Sequence, residues 1–500
     1  MKKIFTHWIF SVIILIMLMA WGFNDPFVKQ TARLKSFDLI QKYDTPTVSQ
    51  DVVIVEIDER AIEQYGQWPW KRDVIADIVW RLREVGAGVI VLPVLFSEDD
   101  RLGGDQALID ALKNNGVVIA QVGTTQTNRN AVPRGVAKIG DPMPWLYEWP
   151  GMLGPIESLG ASADGVGVIN TAPEIDGVVR RLPLLMRVGD EIYPAIAIET
   201  IRVAVGDPSY QVKTQQGGVT AMRIPKFKTI DTDANARIWL RWNKQFETVS
   251  AVDDFKTLQG KTVIVGITAE GIGGVIATPN GEQYAHMTTA TSLQTIINGD
   301  NIVRYDYATF VEYITAGVLA LILILAAAYA PYWLIGALIV LLYSGTAYGS
   351  YFAFTRHLQL WDVSWIILVT TITTFHAVFN RFMKEFFAKQ QIKKQFGTYL
   401  SPAMVEKLQK NPELLKLGGE TRTLTFMFSD IRGFTPISEK YKGNPEGLTK
   451  LINRFLTRMT NIVINNNGTI DKYMGDCIMA FWNAPLPCEN HAEMAVKTAI

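Results

Sequence analysis

The chain has 500 residues, enough for about three domains. Its 48 basic and 48 acidic side chains cancel, which excludes a strong bulk attraction to nucleic acid. A mean hydropathy of +0.13 with 13 Trp is too apolar for an ordinary soluble chain and points to membrane spans.

Residues 1–7 carry Lys2 and Lys3 and precede the first apolar run, 8–23. A cleaved signal peptide is one reading of that run. Ala20-Trp21-Gly22-Phe23 offers no small-x-small cleavage site, which favours an uncleaved transmembrane anchor. Three later apolar runs are 314–330, 333–354 and 361–379, and each of the four runs is about long enough to cross roughly 30 Å of hydrocarbon. Tyr332, Trp333, Trp361 and Trp365 sit at their edges, where interfacial aromatics belong. Buried helices of a soluble domain are the alternative, but the two short connections favour a membrane array, giving four transmembrane helices in all. Lys2 and Lys3 at one end, and Arg381, Lys384, Lys389, Lys393 and Lys394 at the other, put both ends in the cytoplasm. Residues 25–306 are then extracytoplasmic. Both cysteines, Cys477 and Cys488, fall on the cytoplasmic side, and the disulfide-free outer segment suits a bacterial periplasm. The expected location is therefore a bacterial inner (plasma) membrane, crossed several times. The two Cys are not at metal-ligand spacing, so no zinc site is expected.

The outer segment, 25–306, reads as α/β. Residues 52–58 form a strand, 74–85 a helix and 88–95 a strand, a βαβ unit with Gly86-Ala87-Gly88 as the helix-to-strand turn. Residues 116–121 and 262–267 are further short apolar runs fit for buried strands. Asp58, Trp68 and Trp70 could line a ligand pocket; a helix cap and two core tryptophans are the plainer reading, as is a structural His286. Lys261-Thr262 after Gly260 lacks the glycines of a phosphate-binding loop. Several pieces resemble the second type of CHASE domain, an extracytoplasmic sensory module: 54–59, Gly66-Gln67-Trp68-Pro69-Trp70-Lys71-Arg72, Asp176-Gly177-Val178-Val179-Arg180-Arg181, 260–266 and Thr278-Pro279. The resemblance implies a sensor followed by three spans, as found here, with a ligand that the residues leave unknown. Leu92-Pro93 departs from the family, which commonly has an acidic residue there, and Pro93 also argues against a central ladder position.

Residues 380–418 follow the last apolar run. Phe379, Phe382, Phe386 and Phe396 fit a 3-4 spacing, but Lys389 and Lys393 fill the seam between them, a poor coiled coil by itself. A helix continuing the last span, or a basic helix held to anionic lipid, both suit the composition. Phe396-Gly397-Thr398-Tyr399-Leu400-Ser401-Pro402 resembles the short transducer that often precedes cyclase domains.

In 419–500, Leu424, Phe426 and Phe428 alternate with Thr425, Met427 and Ser429, the pattern of a strand that ends at Asp430. Gly433 frees the backbone for a turn. From Pro445, the apolar positions Leu448, Leu451, Ile452, Phe455, Leu456, Met459, Ile462 and Val463 form a helical stripe, stopped by Asn465-Asn466-Asn467-Gly468. Runs 469–474 and 477–482 flank Gly475-Asp476, a two-residue hairpin turn. If the hairpin pairs beside the first strand, Asp476 approaches Asp430. Two close carboxylates call for a cation between them, and oxygen-loving Mg²⁺ or Mn²⁺ suits them. Gly433, Phe434 and Thr435 would offer backbone N–H groups to phosphate. An N-cap and an ordinary turn are the plain alternative.

Phe428-Ser429-Asp430-Ile431-Arg432-Gly433-Phe434-Thr435 with Lys472-Tyr473-Met474-Gly475-Asp476 resembles the catalytic domain of class III nucleotide cyclases, an α+β ferredoxin-like (palm) fold. The resemblance implies catalytic Asp430 and Asp476 binding two divalent cations, Mg²⁺ or Mn²⁺, with the Ile431 carbonyl as a further ligand. It implies that Lys472 reads the purine, and a lysine there suits the N1 acceptor of adenine. It also implies a homodimer through the cyclase domain and the membrane-proximal helix. The family's later elements, a second purine-reading Asp or Thr and an Asn/Arg pair, are expected beyond Ile500. About half a catalytic domain is then present, inactive alone. The expected function is a membrane receptor adenylate cyclase making cyclic AMP and pyrophosphate from ATP. A guanylate cyclase is one alternative; a non-catalytic sensory or scaffolding receptor is the other.

Overall fold

The computed structural model describes residues 8–126, 128–396 and 421–500. The expected cytoplasmic N-terminus, 1–7, and the transducer-like stretch of 397–402 lie outside the described residues. The chain divides into two compact units, one of Ser11–Phe375 and the other of Met1–Phe10 with His376–Ile500.

The larger unit is built on a seven-stranded sheet. Its order runs Lys244–Ser250, Thr47–Ile57, Thr262–Ile267, Ile90–Leu92, Val117–Thr124 and Gly151–Leu153, with Gly165–Val168 also paired to Val117–Thr124. All pairings are parallel except that of Gly151–Leu153. Parallel strands need both faces covered, and this sheet separates two cores. Val52, Ile54, Val91, Val118 and Ile264 face one core with Ile198, Ile201, Leu293 and Ile296, from helices Ile196–Ala204 and His286–Asn298. Val53, Val55, Ile90, Val117 and Val263 face the other with Ile78, Val79, Leu82, Leu108 and Leu112, from helices Arg72–Glu84 and Asp105–Leu112. The α/β expectation holds, and both strands of the expected βαβ unit are parallel members of one sheet. They are not neighbours, however, because Thr262–Ile267 pairs with each and lies between them. The second strand is also short, Ile90–Leu92, and stops before Pro93, whose missing N–H cannot extend the ladder.

The helix Trp8–Phe23 has 16 residues and ends at a bend of 80° into a second helix, Phe27–Lys42. Among the described residues three helices are long and apolar enough to cross a membrane: Ala308–Tyr329, Tyr332–His357 and 363–391 of the helix Val363–Phe396. Among the described residues the count reaches four only if the bent pair is taken as one span. At about 1.5 Å per residue, 16 residues fall short of the hydrocarbon thickness.

Helix Phe27–Lys42 packs Leu34, Phe37 and Ile40 against Trp239, Ile302, Phe354 and Leu360. Charge fixes it along its length. Arg180, wholly buried, makes paired hydrogen bonds to Asp38 (2.6 and 2.7 Å) and to Asp176 (2.7 and 2.8 Å). Arg241 holds Asp44 just past the helix end, at 2.7 and 2.9 Å. Near the helix start, buried Lys29 donates to the Gly22 carbonyl and the Tyr313 hydroxyl.

Candidate active site

The smaller unit contains a three-stranded antiparallel sheet in the order Thr425–Ser429, Cys477–Trp482, Thr469–Met474. Met427, Ile470, Ile478, Ala480 and Trp482 form its core with Val463, from helix Pro445–Asn465, and Ala495, from helix His491–Ala499. The helix leaves through Asn467 in the left-handed region, φ 61°, as the Asn-rich stop requires. On the first strand Thr425, Met427 and Ser429 take the core side. Phe426 and Phe428 lie on the other face, 50% and 61% exposed.

Register brings the two aspartates together. Ser429 pairs with Ile478 and Met474 with Cys477, so Asp430 leaves the first strand beside the turn that carries Asp476. Gly475 takes φ 66°, which a side chain at that turn position would resist. The Asp430 carboxyl is pushed above its ordinary value, first by its hydrogen bond with the Asp476 carboxyl, then by desolvation and by the like charge. Its Oδ1 also accepts from the Ile431 N–H at 3.0 Å. Asp476 Oδ2 is buried with no hydrogen-bond partner among the described residues.

This donor set fits a divalent cation. Two crowded carboxylates, one with an unpartnered buried oxygen, are stabilised by a hard cation, and all the donors are oxygen. Two protein carboxylates suffice for Mg²⁺, which completes its octahedron with water and phosphate oxygens. The Ile431 carbonyl accepts the Phe434 N–H at 3.2 Å and keeps a second lone pair. That same bond occupies one of the three backbone donors expected for phosphate. Gly433 sits at φ 70°, ψ 36° before the short helix Phe434–Lys440, and Thr435 lies in its first turn.

Lys472 is placed by a feature absent from the alternation pattern. The ladder shifts between Ile470 and Lys472, so Asp471 is an extra residue and Lys472 pairs with Met479. Regular pairing would have set Lys472 opposite buried Ile478. The bulge turns it to the face of Phe428, which also pairs with Met479. Tyr473 then pairs with Ile478, and its hydroxyl lies 2.8 Å from Thr460 of the long helix. Lys472 Nζ is largely exposed, 3.5 Å from Asp471.

In the larger unit, Asp58 caps helix Glu59–Tyr65 by accepting from the Ala61 N–H at 2.9 Å, and it also accepts from the Ser250 hydroxyl. Trp70 is buried and donates to the Gly66 carbonyl, while Trp68 and Trp70 border a cavity of about 240 Å³. His286 is buried, stacked on Tyr284 at 5.8 Å.

The CHASE2 domain model matches residues 10–329. The chain belongs to the CHASE2 domain family. Residues 419–500 match the adenylate and guanylate cyclase catalytic domain, so a class III cyclase domain follows the CHASE2 module and its three apolar helices. Adenylate cyclase 1 of Rhizobium meliloti (strain 1021) is 30% identical over 135 residues, covering 26% of this chain and 18% of that protein. An adenylate cyclase of Anabaena cylindrica is 31% identical over 107 residues, 21% of this chain and 20% of that protein. This CHASE2 chain thus spans about a fifth of the length of those curated relatives. Among solved structures, the adenylyl cyclase CyaB from P. aeruginosa is 44% identical over 15% of this chain and 39% of that one, with a TM-score of 0.15. The guanylyl cyclase Cya2 is 37% identical over 17% and 41%, with a TM-score of 0.16.

Proposed function

We propose that this chain is a membrane receptor adenylate cyclase, in which the extracytoplasmic CHASE2 domain governs conversion of ATP to cyclic AMP and pyrophosphate in the cytoplasm. The single observation that carries this reading is the Asp430–Asp476 pair, two carboxylates in contact with one oxygen left unpartnered. Asp430, Asp476 and the Ile431 carbonyl hold two divalent cations. When bound, Mg²⁺ or Mn²⁺ lowers the pKa of the ribose 3′-hydroxyl and neutralises charge on the phosphates. The 3′-oxygen bonds to the α-phosphorus in line, the bond from that phosphorus to the bridging oxygen breaks, pyrophosphate leaves, and the hydroxyl proton passes to solvent. Gly433, Phe434 and Thr435 lie against the phosphates.

Lys472 donates to the base. Adenine N1 accepts from an ammonium, whereas guanine carries an N–H there and would leave that donor unmatched. The reading of a homodimer is supported by the open sheet face, where Phe426, Phe428 and Lys472 stand without a covering layer among the described residues. Residues 25–306 are outside a bacterial inner membrane, the three apolar helices that follow cross it, and residues 419–500 are cytoplasmic. Asp430→Ala and Asp476→Ala in the full-length protein should each lower cyclic AMP output on the order of 10²-fold or more, with folding retained. Undiminished output from either variant refutes the site; equal output from GTP refutes the nucleotide.

A further inference from the structure

Along the chain, the outer domain is joined to the cyclase domain through three apolar helices in turn, Ala308–Tyr329, Tyr332–His357 and Val363–Phe396. The contacts take a shorter way. Helix Phe27–Lys42 and the bend before it meet the first and third of those helices at one buried, charged junction. We propose that this junction is a transmission joint: Lys29 and Glu312 lock helix Phe27–Lys42 to the start of the third apolar helix, so that movement of the outer domain reaches that helix directly instead of through the two before it.

Lys29 stands at the centre, 3% exposed. It donates to the Gly22 carbonyl at 3.0 Å and to the Tyr313 hydroxyl at 3.1 Å, and lies 3.4 Å from Asp25. Its ammonium is also 4.8 Å from the centre of the Tyr313 ring and 5.5 Å from that of Trp365. One charge thus joins the end of helix Trp8–Phe23, the first apolar helix through Tyr313 and the third through Trp365. Gly22 makes the fit possible, since a Cβ there would run into the Trp365 ring, itself buried. A second charge closes the joint. Glu312, buried on the first apolar helix, pairs with Arg304 at 2.8 and 2.7 Å and accepts from the Asp362 N–H at 2.6 Å. Asp362, also buried, accepts from the Ser364 N–H at 3.0 Å in the first turn of the third helix. The charges of Asp362 and Glu312 act on Arg33 as well, which is bonded to Asp25 at 3.0 and 2.9 Å.

The other end of the lever is held by the outer domain. Lys29 and Asp38 lie on one helix, roughly 14 Å apart along its axis, and Asp38 is gripped by Arg180. A helix pinned by charge at two places moves as a rod. Charged groups out of water also tolerate few arrangements, because opening one pair leaves an unmatched ion, so the joint is held or released rather than stretched. The third helix then runs unbroken from Val363 to Phe396, ahead of the cyclase domain. That its movement governs catalysis rests on the receptor reading above; the joint itself does not.

The test reads the joint without turnover, so its failure is separate from failure of the cyclase reading. Amide hydrogen exchange is followed over residues 360–370 of the full chain in lipid nanodiscs, a stretch that includes the Asp362 N–H bonded to Glu312. Arg180→Met, made in the outer domain, should quicken exchange there about tenfold. On a Lys29→Met background, which keeps the bulk of the side chain without its charge, the same change should add less than about twofold, because the joint is already open. Were Lys29 a packing residue alone, the two distant substitutions would act independently and Arg180→Met would have the same effect in both backgrounds. If Lys29→Met fails to fold, Glu312→Gln takes its place with the same expectation. Exchange over 360–370 that Arg180→Met leaves unmoved, or quickens equally with and without the lock, overturns the proposal.

Discussion

Arg180→Met tests how the outer domain holds its juxtamembrane helix. Arg180 lies wholly out of solvent between Asp38 of the helix and Asp176 of a loop, and side-chain exposure at those carboxylates is only 16% and 13%. Its hydrogen bond to Asp176, followed by a smaller charge attraction, holds that carboxyl well below the ordinary carboxylate range despite the opposing desolvation. Removing the guanidinium leaves two nearly buried carboxylates facing each other with exposed Lys35 as their remaining cation, 3.7 and 3.3 Å away. Breaking a buried ion pair from one side costs about 3–5 kcal/mol. Since Asp38 belongs to helix Phe27–Lys42, the loss falls on its docking and appears as local opening rather than as a whole-chain melting point. Amide hydrogen exchange across residues 27–42, measured on the full chain in nanodiscs, should quicken roughly 10²-fold or more. Replacing Arg180, Asp38 and Asp176 together by apolar residues of similar size should recover most of this, because no unpaired charge remains. Exchange within about threefold of the parent in the Arg180→Met protein would refute the reasoning.

Three further outcomes are expected. Lys472→Glu replaces a donor with an acceptor at the base and should shift the ATP-to-GTP ratio of product formation about tenfold toward GTP, measured in the full-length protein; an unchanged ratio removes Lys472 from purine reading. Burial lowers the His286 pKa from 6.5 to about 4. Its contribution to stability is therefore whole above pH 6.5, falls as the pH drops, and is lost below 4. The full shift is worth about 3 kcal/mol, and a His286→Gln protein should show a flatter acid limb in denaturant or exchange titrations of the outer unit. Phe428→Ser removes an apolar side chain from the open face without touching the core, so sedimentation of the full-length protein should show weaker self-association at unchanged secondary structure.

Local features were legible wherever one short segment decides its own conformation. The period-2 run at 425–429, the stripe from Pro445, the Asn-rich stop and the Gly475-Asp476 turn all stand as the residues imply, because strand alternation, helical periodicity and positive φ are local properties. Pro93 closed its strand for the same reason. The apolar run 8–23 is a helix with those bounds, yet a run of residues cannot show that an 80° bend follows it. In the candidate site, the meeting of Asp430 and Asp476 followed from a guess about pairing. The bulge at Asp471 followed from nothing in the pattern, since one extra residue reverses the face of every side chain after it.

By its residues alone, the chain determined its apolar segments and its α/β periodicities. Only tertiary structure decided that Thr262–Ile267 would enter between two strands more than 170 positions upstream, or that Arg180 would meet Asp38 across 142 positions. It also decided that Gln41, Trp242 and Gln283 would border one cavity. Periodicity reports which face of an element is apolar, whereas partnership between distant elements depends on the burial and pairing energy of the whole fold, which no short window contains.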